Sequence, residues 1–113
     1  MHSLLPPLDL STFTGDYQSA RREFLQRAQV LPKFGLTEHI HHRHPEPGPD
    51  GKNLYADWLL LSQTEHPAKL LVLISGTHGV EGFVGSAIQS DLLGNGIAEL
   101  LKDQTLAVLF IHA

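Results

Sequence analysis

The sequence has no cysteine, and this absence excludes two kinds of structure at once. Neither a disulfide framework nor a thiolate metal site can form, so any bound metal must use histidine or carboxylate ligands. Long apolar runs are missing as well. A run such as Leu70–Ile74 is far too short to cross a bilayer, so no membrane partner is expected.

Basic residues are also scarce. Eight Lys and Arg face twelve Asp and Glu, which gives a net charge of −4 and argues against nucleic acid as a partner. The first seven residues lack the basic start and the apolar core of a signal peptide, which favours a cytoplasmic location. With 42% hydrophobic and 18% charged residues, the 113-residue chain has the composition of one small globular domain.

The spacing of hydrophobic residues predicts the secondary structure of the first half of the chain. Residues 1–15, which include Pro6 and Pro7, are expected to form an irregular arm. Apolar residues recur every three or four positions from residue 16 to about residue 31, which predicts a helix that Thr14 or Asp16 could cap. Residues 36–44 and 54–61 read as strands joined by a turn at residues 48–51, so a long-looped hairpin is expected.

The second half predicts a βαβ unit. Lys69–Ser75 is an uninterrupted β-favouring run, as expected for a strand covered on both faces. A helix is predicted over residues 81–93, and small residues at 85 and 86 would let it lie close to the sheet. The residues of its expected apolar side are Phe83, Val84, Ala87, Ile88 and Leu92. A second buried strand is predicted over residues 105–112. The fold class is therefore α/β, with a mixed or parallel sheet and flanking helices, and residues 16–113 are expected to be the N-terminal portion of a single domain.

The two predicted buried strands also indicate whether the chain forms a complete domain. A sheet with two buried-type strands needs helices on both faces, but this sequence predicts only about two helices. The chain is thus expected to be an incomplete part of a larger domain. The alternative is a chain that self-associates through exposed strand edges at residues 105–112.

The turn between the third strand and the second helix holds the first candidate site. The sequence Ser-Gly-Thr-His-Gly-Val-Glu-Gly at residues 75–82 places His78 and Glu81 three positions apart, where a strand leads into a helix. Chemistry in α/β proteins is commonly found at this position, and both side chains are zinc ligands by type. The same spacing also occurs by chance, so a purely structural turn stays open.

Other polar residues offer weaker alternatives. Four histidines lie within residues 39–44; on a strand His39 and His41 share one face, which suits a metal or a solvated edge strand. Ser75 and Ser86 are not in a Gly-x-Ser-x-Gly elbow, so a serine hydrolase is not expected. The glycine turn lacks the Gly-Lys-Ser/Thr ending of a phosphate-binding loop. His112, at the C-terminal end of its strand, could hydrogen-bond to a metal ligand or contact the substrate, or it could be an ordinary strand-end histidine.

Four segments together resemble a family of uncharacterised bacterial proteins placed with the zinc carboxypeptidases, a superfamily that also holds the succinylglutamate desuccinylase and aspartoacylase branch. The resemblance implies a zinc-carboxypeptidase-like (phosphorylase/hydrolase-like) fold that is incomplete in this chain. The segments are residues 16–24, residues 48–51 with Leu54 and Asp57, residues 75–89 and residues 109–113.

The resemblance also implies an activity. It is hydrolysis of amide or peptide bonds, with zinc as the cofactor and His78 and Glu81 as the first two zinc ligands. The third ligand and the general base are expected beyond Ala113, so no catalytic residue is assigned in this chain and the chain alone is expected to be inactive. The implied substrate is a small peptide or, as in a deacylase, an N-acyl amino acid. A non-catalytic binding or scaffold module is the alternative, and His39, His41, His112 or another chain could complete the metal shell.

Overall fold

The computed structural model describes residues 10–31, 34–77 and 81–113. The first nine residues of the predicted arm, with Pro6 and Pro7, lie outside this range. The elements in chain order are a 3₁₀ turn (Leu10–Thr12), α1 (Tyr17–Gln29), β1 (Leu36–Arg43), β2 (Tyr55–Ser62), β3 (Lys69–Ser75), α2 (Gly82–Asn95), α3 (Ile97–Leu100) and β4 (Leu106–His112).

Helix α1 begins where a side chain can satisfy its free backbone amides. The carboxylate of Asp16 accepts a hydrogen bond from the Ser19 backbone N–H at 2.8 Å, which is an N-cap contact. The helix buries Ala20 and Phe24, one turn apart. Of the two caps that the sequence suggested, Asp16 is the one at the N-cap.

The four strands form one mixed sheet in the order β1-β2-β4-β3. Strands β1 and β2 form the predicted hairpin, β2 pairs antiparallel with β4, and β3 pairs parallel with β4 across α2. The predicted α/β class, the mixed sheet and the βαβ unit are confirmed. Strand β4 is hydrogen-bonded on both sides, so the expectation of an exposed strand edge at residues 105–112 is wrong.

Helices α1 and α2 pack on the same face of the sheet. Phe24 of α1 contacts Phe110 of β4 with ring centroids 6.2 Å apart. Leu93 of α2 belongs to the same buried cluster. The members of this core are Phe24, Leu59, Leu61, Leu93, Ile97, Leu101, Val108 and Phe110.

The opposite face of the sheet, here called the open face, remains largely apolar. Because the two long helices share one side, no helix of the described residues covers this face of β3. We define the open face by its exposed side chains, whose exposed fractions range from 37% to 61%. They are Ile40, Trp58, Leu70, Val72 and Ile74.

A membrane-crossing segment was also sought in the three described ranges. None of their helices combines the length and the apolar character that crossing a bilayer needs.

Candidate functional site

The turn after β3 depends on two glycines. Gly76 has φ +77°, and a Cβ built on it would overlap the backbone carbonyl oxygen of Ala113. A Cβ on Gly82 would lie 2.7 Å from the Cα of Gly76, which is closer than real contacts allow. Glycine at both positions therefore lets the first turn of α2 lie directly against the ends of β3 and β4.

The two predicted metal ligands lie in this turn. His78 lies outside the described residues, which stop at residue 77 and resume at residue 81. Glu81 immediately precedes α2 and is exposed. Within the described ranges, no group of three His, Asp or Glu side chains is arranged to hold a metal. Because His78 lies outside those ranges, the alternative that His39, His41 or His112 completes its metal shell stays a prediction. Convergence of His78 and Glu81 on one ion therefore stays a prediction.

A small cleft lies where this turn meets the sheet. It has a volume of about 170 Å³, and we call it the first cleft. Its position at the C-terminal ends of β3 and β4 is the edge at which α/β sheets bind ligands. The lining residues are Tyr17, Ala20, Gly76, Gly82, Phe83, Ser86, His112 and Ala113.

His112 is the buried polar group of the first cleft. Only 2% of its surface is exposed, and its ring stacks on Phe24 with centroids 4.8 Å apart. Its Nε2 lies 2.7 Å from the hydroxyl oxygen of Ser86, whereas its buried Nδ1 has no hydrogen-bond partner among the described residues. Burial lowers the pKa of His112, which the nearby charge of Asp57 opposes, so the imidazole is neutral at neutral pH.

The Ser86–His112 pair was not predicted, because the apolar side expected for α2 was wrong in part: Ala87 is buried and Leu92 packs against the core as expected, but two of its members are exposed. Val84 and Ile88 are 48% and 55% exposed, and the helix instead turns small and polar residues inward. Gln89 makes this possible: its side-chain amide donates to the carbonyls of Leu73 and Ile111 at 2.8 and 3.2 Å. A polar stripe at positions 86, 89 and 90 of α2 is the signal that would have indicated this face.

Ser75 has a structural contact of the same kind. Its hydroxyl donates to the side-chain oxygen of Gln89 at 3.0 Å, so it ties β3 to α2. Gly85 sits close to this serine, since a Cβ on Gly85 would lie 3.0 Å from the Ser75 Cβ. Small residues thus bring the helix close to the sheet.

A buried carboxylate supports the same edge of the sheet. Asp57 of β2 is fully buried and pairs in register with His112 of β4. Its two oxygens accept hydrogen bonds from Nε and Nη2 of Arg21 at 2.8 and 3.0 Å, and Nδ1 of His41 lies 2.5 Å from one of them. The guanidinium of Arg21 also lies 4.0 Å from the ring centroid of Tyr55. This network joins α1 to both strands of the hairpin.

The histidine-rich segment follows the predicted alternation. His39 and His41 share one face, with ring centroids 4.4 Å apart, and His42 packs against Trp58 on the other. Burial lowers the pKa of His39, and the neighbouring His41 adds to this shift. Strand β1 lies at the edge of the sheet and is exposed over most of its length, as predicted for a solvated edge strand.

A larger cleft adjoins the first one. We call it the second cleft; it has a volume of about 500 Å³ and shares Tyr17, Gly76 and Ala113 with the first. It lies between the start of α1 and the loop end of the β1–β2 hairpin, where Arg43 pairs with Tyr55. Its other lining residues are His42, Arg43, His44, Pro45, Leu54, Tyr55 and Ala56.

Comparison with known proteins corrects the family identification. The sequence pattern of a family described as "Protein of unknown function (DUF2817)" matches residues 13–113. The assignment to the zinc carboxypeptidase superfamily is therefore wrong. The carboxypeptidase-like fold label is not confirmed, and the coarser mixed α/β description stands. No protein of curated function matches the chain.

Solved structures with a similar arrangement include two glutaminyl cyclases. The enzyme from Fimbriiglobus ruber is 12% identical, with a TM-score of 0.44, over 97% of this chain and 46% of the cyclase. The enzyme from Macrostomum lignano is 16% identical, with a TM-score of 0.39, over 97% of this chain and 43% of the cyclase. These scores are too low to support an argument about fold or activity, and the chain spans less than half of either enzyme.

Proposed function

The chain belongs to the DUF2817 family, whose function is unknown, and from its own residues we propose that the intact protein is a zinc-dependent hydrolase of amide bonds. His78 and Glu81 would hold the ion at the turn after β3. One observation carries this proposal: glycines at positions 76 and 82 bring the start of α2, the residue after Glu81, into the wall of the cleft that contains buried His112.

The donors in and around the turn fit zinc by chemical type. Imidazole and carboxylate are zinc ligands, but zinc sites use three or four protein ligands and this turn offers two. A third ligand and a general base must therefore come from elsewhere in the intact protein. Bound zinc would supply a water of lowered pKa and would polarise the carbonyl of the substrate.

The chain's own residues would prepare the first cleft for an amide substrate. Tyr17 and Phe83 provide aromatic walls that reduce the access of water. The neutral imidazole of His112, held by Ser86 and Phe24, presents one buried nitrogen without a partner in the described ranges. That nitrogen could accept or donate one hydrogen bond. A peptide or an N-acyl amino acid is the substrate class that we propose.

The metal proposal predicts the zinc content of the intact protein. Purified without chelators, it should carry about one zinc per chain. Replacing His78 or Glu81 with alanine should remove most of this zinc, because a shell that loses one of so few ligands binds far more weakly. Elemental analysis by plasma mass spectrometry, together with a competition titration, measures both quantities.

The matched control is His66→Ala, in the exposed loop between β2 and β3. It should leave the zinc content unchanged, which separates loss of a ligand from loss of a histidine in general. Full zinc occupancy in both the His78 and the Glu81 variants would reject the proposal.

The open face favours a second function, that of a non-catalytic binding module. Trp58, Val72 and Ile74 lie on the side of the sheet that no helix of the described residues covers. Contiguous apolar surfaces of this kind are common where proteins bind one another. We propose self-association through this face rather than through the strand edge at residues 105–112.

This second proposal predicts concentration-dependent association of the chain. Val72→Lys should shift the equilibrium toward monomer, because it places a charge between the exposed apolar side chains of Leu70 and Ile74 on the open face. Val30→Lys is the matched control, since Val30 is 81% exposed at the end of α1 and away from the sheet. Sedimentation velocity measured over a range of concentrations distinguishes the two variants. A wild-type chain that stays monomeric at all concentrations would exclude this function.

A further inference from the structure

The second cleft has the size and composition of a small-molecule site. Its volume of about 500 Å³ falls within the range of ligand pockets, roughly 300–1,000 Å³. Apolar atoms of Tyr17, Leu54 and Tyr55 form much of its surface. Ligand pockets commonly combine such walls with a small number of polar groups that fix the orientation of the ligand.

The wall of this cleft is held in place before any ligand binds. The Tyr17 hydroxyl accepts a hydrogen bond from the Tyr55 backbone N–H at 2.7 Å and donates one to the Tyr55 carbonyl at 3.0 Å. Behind it, Arg21 contacts both the Tyr55 ring and the buried Asp57 carboxylate. A wall fixed by these contacts loses little conformational entropy when a ligand binds.

Arg43 gives the cleft a positive charge. It is the last residue of β1, pairs in register with Tyr55 and is exposed to solvent. No carboxylate of the described residues forms an ion pair with its guanidinium. In a chain with a net charge of −4, this guanidinium is a cation beside an apolar cavity, and none of the described residues that line it is Asp or Glu.

We infer that the second cleft binds an apolar, preferably aromatic, compound that carries a carboxylate, with the carboxylate paired to Arg43. The planar guanidinium can donate two parallel hydrogen bonds to a carboxylate. The apolar part would lie against Tyr17, Leu54 and Tyr55. The inference goes beyond the proposed hydrolysis, because binding in this cleft requires no metal and no third ligand.

The test uses N-acetyl-L-phenylalanine and its uncharged amide as probes. Isothermal titration of the chain in EDTA should show the acid binding about 10-fold more tightly than the amide, a difference of about 1.4 kcal/mol. Sodium acetate, which has the charge without the ring, should bind much more weakly than the acid. Removing metal with EDTA keeps the result independent of the zinc proposal.

Two arginine variants decide whether Arg43 is responsible. Arg43→Gln should abolish the preference for the acid over the amide, whereas Arg22→Gln, on the exposed side of α1, should preserve it. Equal binding of acid and amide by the wild type, or an unchanged preference in Arg43→Gln, would refute the inference. Tighter binding of phenyl phosphate than of the acid would also refute it, because the anion would then be a phosphate.

Discussion

Replacing Asp57 with alanine is expected to lower the free energy of unfolding by about 3–5 kcal/mol. The carboxylate is fully buried and accepts two hydrogen bonds from Arg21. Its removal leaves a guanidinium that is mostly withdrawn from solvent, with 21% of the side chain exposed, without its counter-charge. Urea denaturation followed by tryptophan fluorescence reports the change through Trp58, which lies on the neighbouring position of β2.

Two comparisons separate the cost of an unpaired buried charge from other effects. Glu99→Ala breaks an exposed ion pair with Lys102 and should change the stability little. The double variant Arg21→Ala, Asp57→Ala should be little less stable than Asp57→Ala alone, because it removes both charges. The explanation would be contradicted if the double variant lost as much free energy of unfolding as Arg21→Ala and Asp57→Ala together.

The elements of this fold could be predicted from local patterns. The helical spacing from residue 16 and the cap at Asp16 indicated α1, and β-favouring runs indicated β3 and β4 within a residue of their bounds. The mixed sheet followed from the hairpin and the βαβ unit together. These signals are local, because capping, turn chemistry and side-chain periodicity act over a few residues.

The position of each element in the layers could not be predicted in the same way. An apolar run does not distinguish a central strand from an edge strand. Both β3 and β4 were therefore expected to be buried strands, and only the self-association alternative took the edge of β4 to be exposed. The hydrogen bonds between Arg21 and Asp57 join residues 36 positions apart. No local pattern indicates such a pair, although Asp57, a charged residue within an apolar strand, was a signal that it needed a partner.

The positions of Glu81 and His112 in the fold could be predicted from the sequence, whereas the role of His78 and Glu81 as metal ligands stays a prediction. Glu81 lies at the start of α2 and His112 at the end of β4, as the sequence indicated. The family assignment failed because short glycine-rich turns recur in different families, so a local motif does not identify one family. The second cleft was not predicted at all. It forms between α1 and the end of the hairpin, which are far apart in the sequence.

Replacing Gly76 with alanine is expected to disturb the turn that carries both predicted ligands. A non-glycine residue at φ +77° costs about 1–2 kcal/mol. At this position the new Cβ would also overlap the carbonyl oxygen of Ala113, so the end of β4 or the start of α2 must move. Thermal unfolding should therefore occur at a lower temperature, and the zinc content of the intact protein should fall.

Gly51→Ala is the matched control for this prediction. Gly51 has nearly the same backbone conformation, with φ +78°, but a Cβ there would meet no atom within 4 Å. The control should show the backbone cost alone, whereas Gly76→Ala should show that cost together with the displacement of α2. If the two variants lose equal stability and Gly76→Ala retains its zinc, the close contact between Gly76 and Ala113 does not position the site. If only Gly76→Ala loses zinc, the glycine turn positions the ligands as well as the helix.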